Sequence, residues 1–128
     1  MQTNLLALIE EAKKDIRNIE NITAQVTVNT TNVIGGSVTV LKCGSLVSVT
    51  LLGVRFNANG NGKQLITGLP KAKEQSGGIA TGADGSSCGT LNTSGNAFYI
   101  LKNGTTLFGH VTQNTMNHWI TVYYLTED

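Results

Sequence analysis

The chain has 128 residues and a formal net charge of +1, which is enough length for one domain with a core and too little for two. So small a charge creates no long-range field, which argues against nucleic acid or an anionic membrane as the partner. Seven of the seventeen charged side chains fall in the first 22 residues, so the rest of the surface rests on neutral polar groups, supplied largely by seventeen Thr and thirteen Asn.

The first predicted element is a helix over residues 5–22. Leu5, Ile9, Ala12, Ile16 and Ile19 follow a spacing of 4, 3, 4, 3, the a/d seam of a coiled coil, with Ile9 and Ile16 at a and Ala12 and Ile19 at d. Two heptads are marginal alone in water, so the helix needs a partner surface. Packing on its own domain is one solution, with Leu6 and Leu8 beside the seam. The preferred one is self-association, and Ile at both a and d favours three strands or more. Residues 1–23 are therefore read as a trimerisation stem and 24–128 as a β-sandwich head.

From about Ala24 the apolar period changes to two. AQVTVNT, SVTVLK, SLVSVTLLGVRF, KQLITGL, NAFYILK, TTLFGHV and HWITVYYL each have strand composition, and the breaks between them, Gly35-Gly36 among them, carry turn residues. In LKNGTT the pair Asn103-Gly104 is placed at the two positive-φ positions of a hairpin turn. The stretch 69–95 is read as a long Gly-rich loop with a short strand near Ser87 to Leu91. Seven or eight short strands define the fold class as mainly β: an antiparallel sandwich or jelly-roll-like head behind a short coiled-coil helix.

Catalytic chemistry is hard to find. The strand-rich region holds only Glu74 and Asp84 as carboxylates before the last two residues, and only His110 and His118 as imidazoles. No hydrolase, P-loop or dinucleotide motif occurs, so the chain is read as a non-enzyme without metal or other cofactor. One carboxylate cannot fill a calcium site, so Asp84 is read as an Asp-Gly turn, and the two histidines as surface or core residues. Cys43 and Cys88 match no zinc or redox spacing and are read as buried thiols rather than a disulfide. With no apolar run near the roughly 20 residues of a membrane span and no secretion leader, the expected site of synthesis and folding is a cytoplasm, without membrane insertion.

Aromatic residues are few, and alternation places His118, Ile120, Val122 and Tyr124 on one face of the last strand and Trp119, Thr121, Tyr123 and Leu125 on the other. Both faces carry rings, so one of them is partly exposed or set against a neighbouring subunit. Core packing is the first reading of Trp119. The functional reading is a saccharide site, in which rings cover the CH faces of a sugar and short polar groups bond its hydroxyls. Its candidates are Trp119, Tyr99, Tyr123 and His118.

NGKQLITGLPKA, AFYILKNGTTLFG and the closing HWITVYYL, behind a short Ile- and Leu-seamed helix, give the chain a familiar look over residues 46–125. It resembles the C-terminal head domains of phage and prophage tail-fibre or baseplate receptor-binding proteins. In that resemblance Gly68, Leu69 and Pro70 match the step that turns the chain out of a strand, and Asn103 and Gly104 match a hairpin turn. The resemblance implies a homotrimer at a virion tail tip or baseplate, assembled in the host cytoplasm among other tail proteins, that binds host cell-wall polysaccharide. The alternative is a structural virion protein, such as a fibre cap, decoration or spike component, with protein partners only. A trimeric cytokine-like or complement-like ligand fits less well, because leader and Cys usage point away from secretion.

Overall fold

The computed structural model describes residues 5–10, 18–83, 91–112, 114, 115 and 117–127, with backbone alone for 78–83 and 91–95. Residues 5–10 are helical, and every one of them is exposed. Ala12 and Ile16 of the predicted seam lie outside the described residues. Ile19 does not continue a helix: it opens strand β1 (Ile19–Asn21), which pairs antiparallel with Cys43 to Leu41. Ile22 is buried in the core at 3% exposure, so the sheet structure begins by residue 19 rather than at residue 24.

The remaining strands are β2 (Thr27–Val28), β3 (Val33–Ile34), β4 (Ser37–Cys43), β5 (Leu46–Phe56), β6 (Gly60–Thr67), β7 (Ser76–Ala83), β8 (Leu91–Ile100), β9 (Leu107–Val111) and β10 (His118–Leu125). They form two antiparallel sheets. The first runs β1-β4-β5-β10, with β3 also on β5, and the second runs β2-β6-β9-β8-β7. Val40, Val47, Val49, Leu51, Val122 and Tyr124 of the first sheet share one buried cluster with Leu65, Ile66, Phe98, Ile100 and Leu107 of the second. The chain is thus mainly β and sandwich-like, with the period-2 pattern turning one face of β5, β9 and β10 inward.

Two stretches differ from expectation. The predicted 69–95 loop contains β7 and the start of β8, which pair from Ser76↔Ile100 to Ala83↔Leu91. Asp84, Cys88 and most of the predicted strand at 87–91 fall outside the described residues. At Gly77 of β7 a side chain is excluded, since a Cβ would lie 3.0 Å from the Tyr99 Cα. AQVTVNT is mostly irregular, with a 3-10 turn at Thr23–Gln25 and only two strand residues.

Gly35-Gly36 is not a chain reversal either. β3 and β4 both pair with β5 in the same direction, Ile34↔Arg55 on one side and Ser37↔Leu52 on the other. The two glycines, each at φ +67, form a kink within one strand line, facing Gly53 at φ +64. On the far side of β5 the β10 register shifts between His118 and Trp119. Three neighbouring strands therefore bend at one level. The bulge at Leu52-Gly53 resets the alternation, so Val54 and Phe56 continue the inward series of Val47, Val49 and Leu51.

The β8–β9 hairpin exists, but its turn is one residue earlier than predicted. The Gly104 N–H donates to the Leu101 carbonyl at 2.9 Å, Asn103 alone carries positive φ (+62), and Gly104 does not. The central pair is therefore Lys102-Asn103, with Asn at the position where a left-handed residue is required. The hairpin tip docks on the segment after Gly68: Leu69 N–H donates to Thr105 O, Asn103 N–H to Ala72 O, and Ala72 N–H to Gly104 O. That segment also holds β10, because Lys73 N–H donates to Leu125 O at 2.7 Å and the Tyr124 hydroxyl donates to Pro70 O at 2.7 Å.

Burial pushes the Tyr124 phenol well above its ordinary value of about 10. The unfolded chain ionises first, so the stability tied to this group is complete below about pH 10 and is lost as pH rises toward the folded-state value. Tyr124→Phe is expected to be about 1 kcal/mol less stable near pH 8, from the lost hydrogen bond, and to lose stability less steeply above pH 10. Urea titrations at pH 8 and pH 10.5 measure both effects.

Candidate functional site

The outward face of the first sheet carries Trp119, Thr121, Tyr123 and Leu125 from β10. Opposite them on β5 are Leu52, Thr50, Ser48 and Leu46. The next rows are Ser37, Thr39, Leu41 and Cys43 on β4, then Asn21 and Ile19 on β1. None of these side chains is charged. Across the middle the Thr50 and Thr121 hydroxyls lie 3.0 Å apart, and apolar groups occupy both ends.

Trp119 is 50% exposed and Tyr123 62%, which corrects the core reading of Trp119. The indole extends across Gly53, where a Cβ would come 3.8 Å from the ring. The glycine that kinks β5 therefore also gives the indole a flat backbone floor. Two steps of the pleat separate Trp119 from Tyr123, roughly 13 Å along the strand. A single sugar ring cannot touch both, whereas a short oligosaccharide can.

The other two candidates are elsewhere. His118 is fully buried at 0% exposure and closes an aromatic cluster, with ring centroids 5.3 Å from Phe56 and 6.4 Å from Phe98. It cannot contact a surface ligand in this fold. Its Nε2 lies 2.6 Å from the Asn96 amide nitrogen. The Asn96 Oδ1 accepts from the Thr112 N–H at 2.7 Å and from the Thr112 hydroxyl at 3.0 Å, so the amide presents its NH2 to the imidazole and Nε2 is the acceptor. Tyr99 is half-buried in the second sheet, stacked on Phe108 at 5.6 Å and 22°. Of the four, only Trp119 and Tyr123 share a surface.

The alternation of HWITVYYL located that surface, but two features carry no sequence signal. Asn96 looks like one of many turn-type Asn residues, yet it is a buried strand residue. The second is a groove of about 380 Å3 beside Tyr123, lined by Leu46, Lys73, Glu74, Ser76, Tyr123, Tyr124 and Leu125. Its residues come from three places in the chain, so only the docking of segment 69–73 on β10 brings them together. A smaller concavity of about 290 Å3 lies among Ile34, Arg55, Phe56, Asn57, Asn114 and Thr115.

Among the described residues no three of His, Cys, Asp and Glu gather as a metal site requires. No described helix is long and apolar enough to cross a membrane. Compared with known protein families, curated proteins and solved structures, the chain matches none at a significant level.

Proposed function

We propose that the protein is the head of a phage receptor-binding protein, of tail-fibre or baseplate type, that binds saccharide on the host surface as a homotrimer. The observation that carries the reading is the pair of exposed rings, Trp119 and Tyr123, set on an uncharged sheet face with Thr121, Thr50 and Ser48 between and beside them. Rings for the CH faces and hydroxyls for hydrogen bonds are what a sugar can be gripped by without charge. The homotrimer rests on the helix, whose Leu5, Leu6 and Leu8 are 60–65% exposed in a single chain and lack a covering surface there. Three weak sites on one particle gain avidity of roughly 10² to 10⁴ when all engage together.

The test is glycan binding by the chain and by a Trp119→Ala/Tyr123→Ala double variant, with light-scattering mass measured alongside. The expected result is a mass near three times 13.5 kDa and a glycan signal that the double variant loses while its thermal unfolding is unchanged. Equal binding by the variant would remove this face from the function.

The alternative, a structural virion protein with protein partners only, draws on a different observation. Ile19, Leu46, Leu52 and Leu125, all 43–52% exposed, occupy the same sheet face, and such a patch suits a protein neighbour. Saturating capture of a tail component without any glycan signal would favour it.

A further inference from the structure

The groove beside Tyr123 differs from the flat sheet in being concave and in having charge at its mouth. Its volume of about 380 Å3 falls in the range of small-ligand sites. Leu46 and Leu125 supply aliphatic surface, and Tyr123 supplies a ring that is 62% exposed. The Tyr124 hydroxyl in the same lining is already committed to Pro70 O. Side-chain polar contacts come from Lys73, Glu74, Ser76 and the Tyr123 hydroxyl.

The rim charges do not cancel. The Glu74 carboxylate lies 3.8 Å from the Lys102 ammonium, which leaves Lys73 as the excess positive charge among the residues lining the groove. The Lys73 backbone is anchored to β10, its N–H donating to Leu125 O at 2.7 Å, and its exposed side chain belongs to the groove lining. A cation carried among the lining residues together with an aromatic ring and aliphatic surface fits a ligand with an apolar ring face and an anionic substituent at one end.

We propose that this groove is the principal saccharide subsite and that it takes an acidic sugar, one bearing a carboxylate or a phosphate. The sugar ring lies on Tyr123 and Leu125, and the anionic group is directed to Lys73. The inference rests on the saccharide reading above and narrows it to a ligand class and a place.

The experiment is calorimetric titration of the full chain with surface glycans in matched pairs: uronate-containing oligosaccharides with their carboxyl-reduced forms, and glycerol-phosphate-bearing ones with their dephosphorylated forms. Tyr123→Ala, Lys73→Gln and Trp119→Ala are titrated in parallel. All three positions are exposed, so the fold should be retained. The expected result is that an acidic member binds about tenfold more tightly than its neutral partner. Lys73→Gln should erase that difference, Tyr123→Ala should abolish binding, and affinity should fall as salt is raised. Which pair shows the preference separates carboxylate from phosphate. Equal affinity for both members of every pair, or no effect of Lys73→Gln, overturns the acidic-sugar inference and leaves the saccharide reading standing. Loss of binding in Trp119→Ala with none in Tyr123→Ala overturns the groove assignment alone. Failure of every glycan, acidic and neutral, overturns both.

Discussion

Gly36→Ala is expected to destabilise the protein by about 3 kcal/mol or more, while Gly35→Ala, one residue away with the same φ of +67, should cost only about 1 kcal/mol. Left-handed backbone is common to both positions, so that term cancels between them. The difference is space. A Cβ on Gly35 meets nothing within 4 Å, whereas one on Gly36 would run into the Leu52 carbonyl oxygen and lie 2.7 Å from the Gly53 carbonyl carbon. Backbone cannot rotate away as a side chain can, so the kink shared by β3, β4 and β5 would have to open. Denaturant unfolding of the two variants measures the gap directly. Equal losses would mean that the close approach of the two strands does not contribute to stability.

Asn96→Ala should lower stability by about 3 kcal/mol, a large effect for a polar residue. Asn96 is fully buried at 0% exposure. Its amide serves three groups at once: the His118 Nε2, the Thr112 N–H and the Thr112 hydroxyl. Removing it takes a hydrogen bond from the fully buried His118 Nε2 and two from Thr112, and leaves a void beside the imidazole. Asn96→Asp should also lose stability, since it places a carboxylate at a fully buried position. Chemical unfolding should place both variants well below Thr112→Ala, which loses one bond of the set.

Strand positions were legible where alternation was strong. SVTVLK, SLVSVTLLGVRF and HWITVYYL became β4, β5 and β10, because Val and Leu at every second place can be satisfied only by one buried face. β7 was not legible, since SGGIATGA has little strand composition, and at Gly77 the close approach of the Phe98–Tyr99 backbone leaves no space for a side chain. Ile19 fitted a heptad by spacing alone, yet its pairing with Cys43 puts it in a sheet, which shows how little two heptads constrain a chain next to an open strand edge. At the surface site, the two faces of β10 could be separated by parity, but which of them faced outward depended on the partner sheet. His118 therefore went to the core and Trp119 to solvent.

The aligned kinks at Gly36, Gly53 and His118/Trp119 have a bearing on folding fidelity. The runs Val38-Thr39-Val40 and Val47-Ser48-Val49-Thr50 are nearly self-similar under a shift of two residues, and such a slip would leave every apolar group on its proper face. Hydrophobic pattern alone therefore cannot reject a mispaired β4–β5 hairpin. A slipped hairpin would, however, set Gly36 against a residue other than Gly53 and drive a side chain into the tight crossing. The glycines work as index marks: they make one alignment of three repetitive strands sterically possible and turn the near-degenerate ones into clashes.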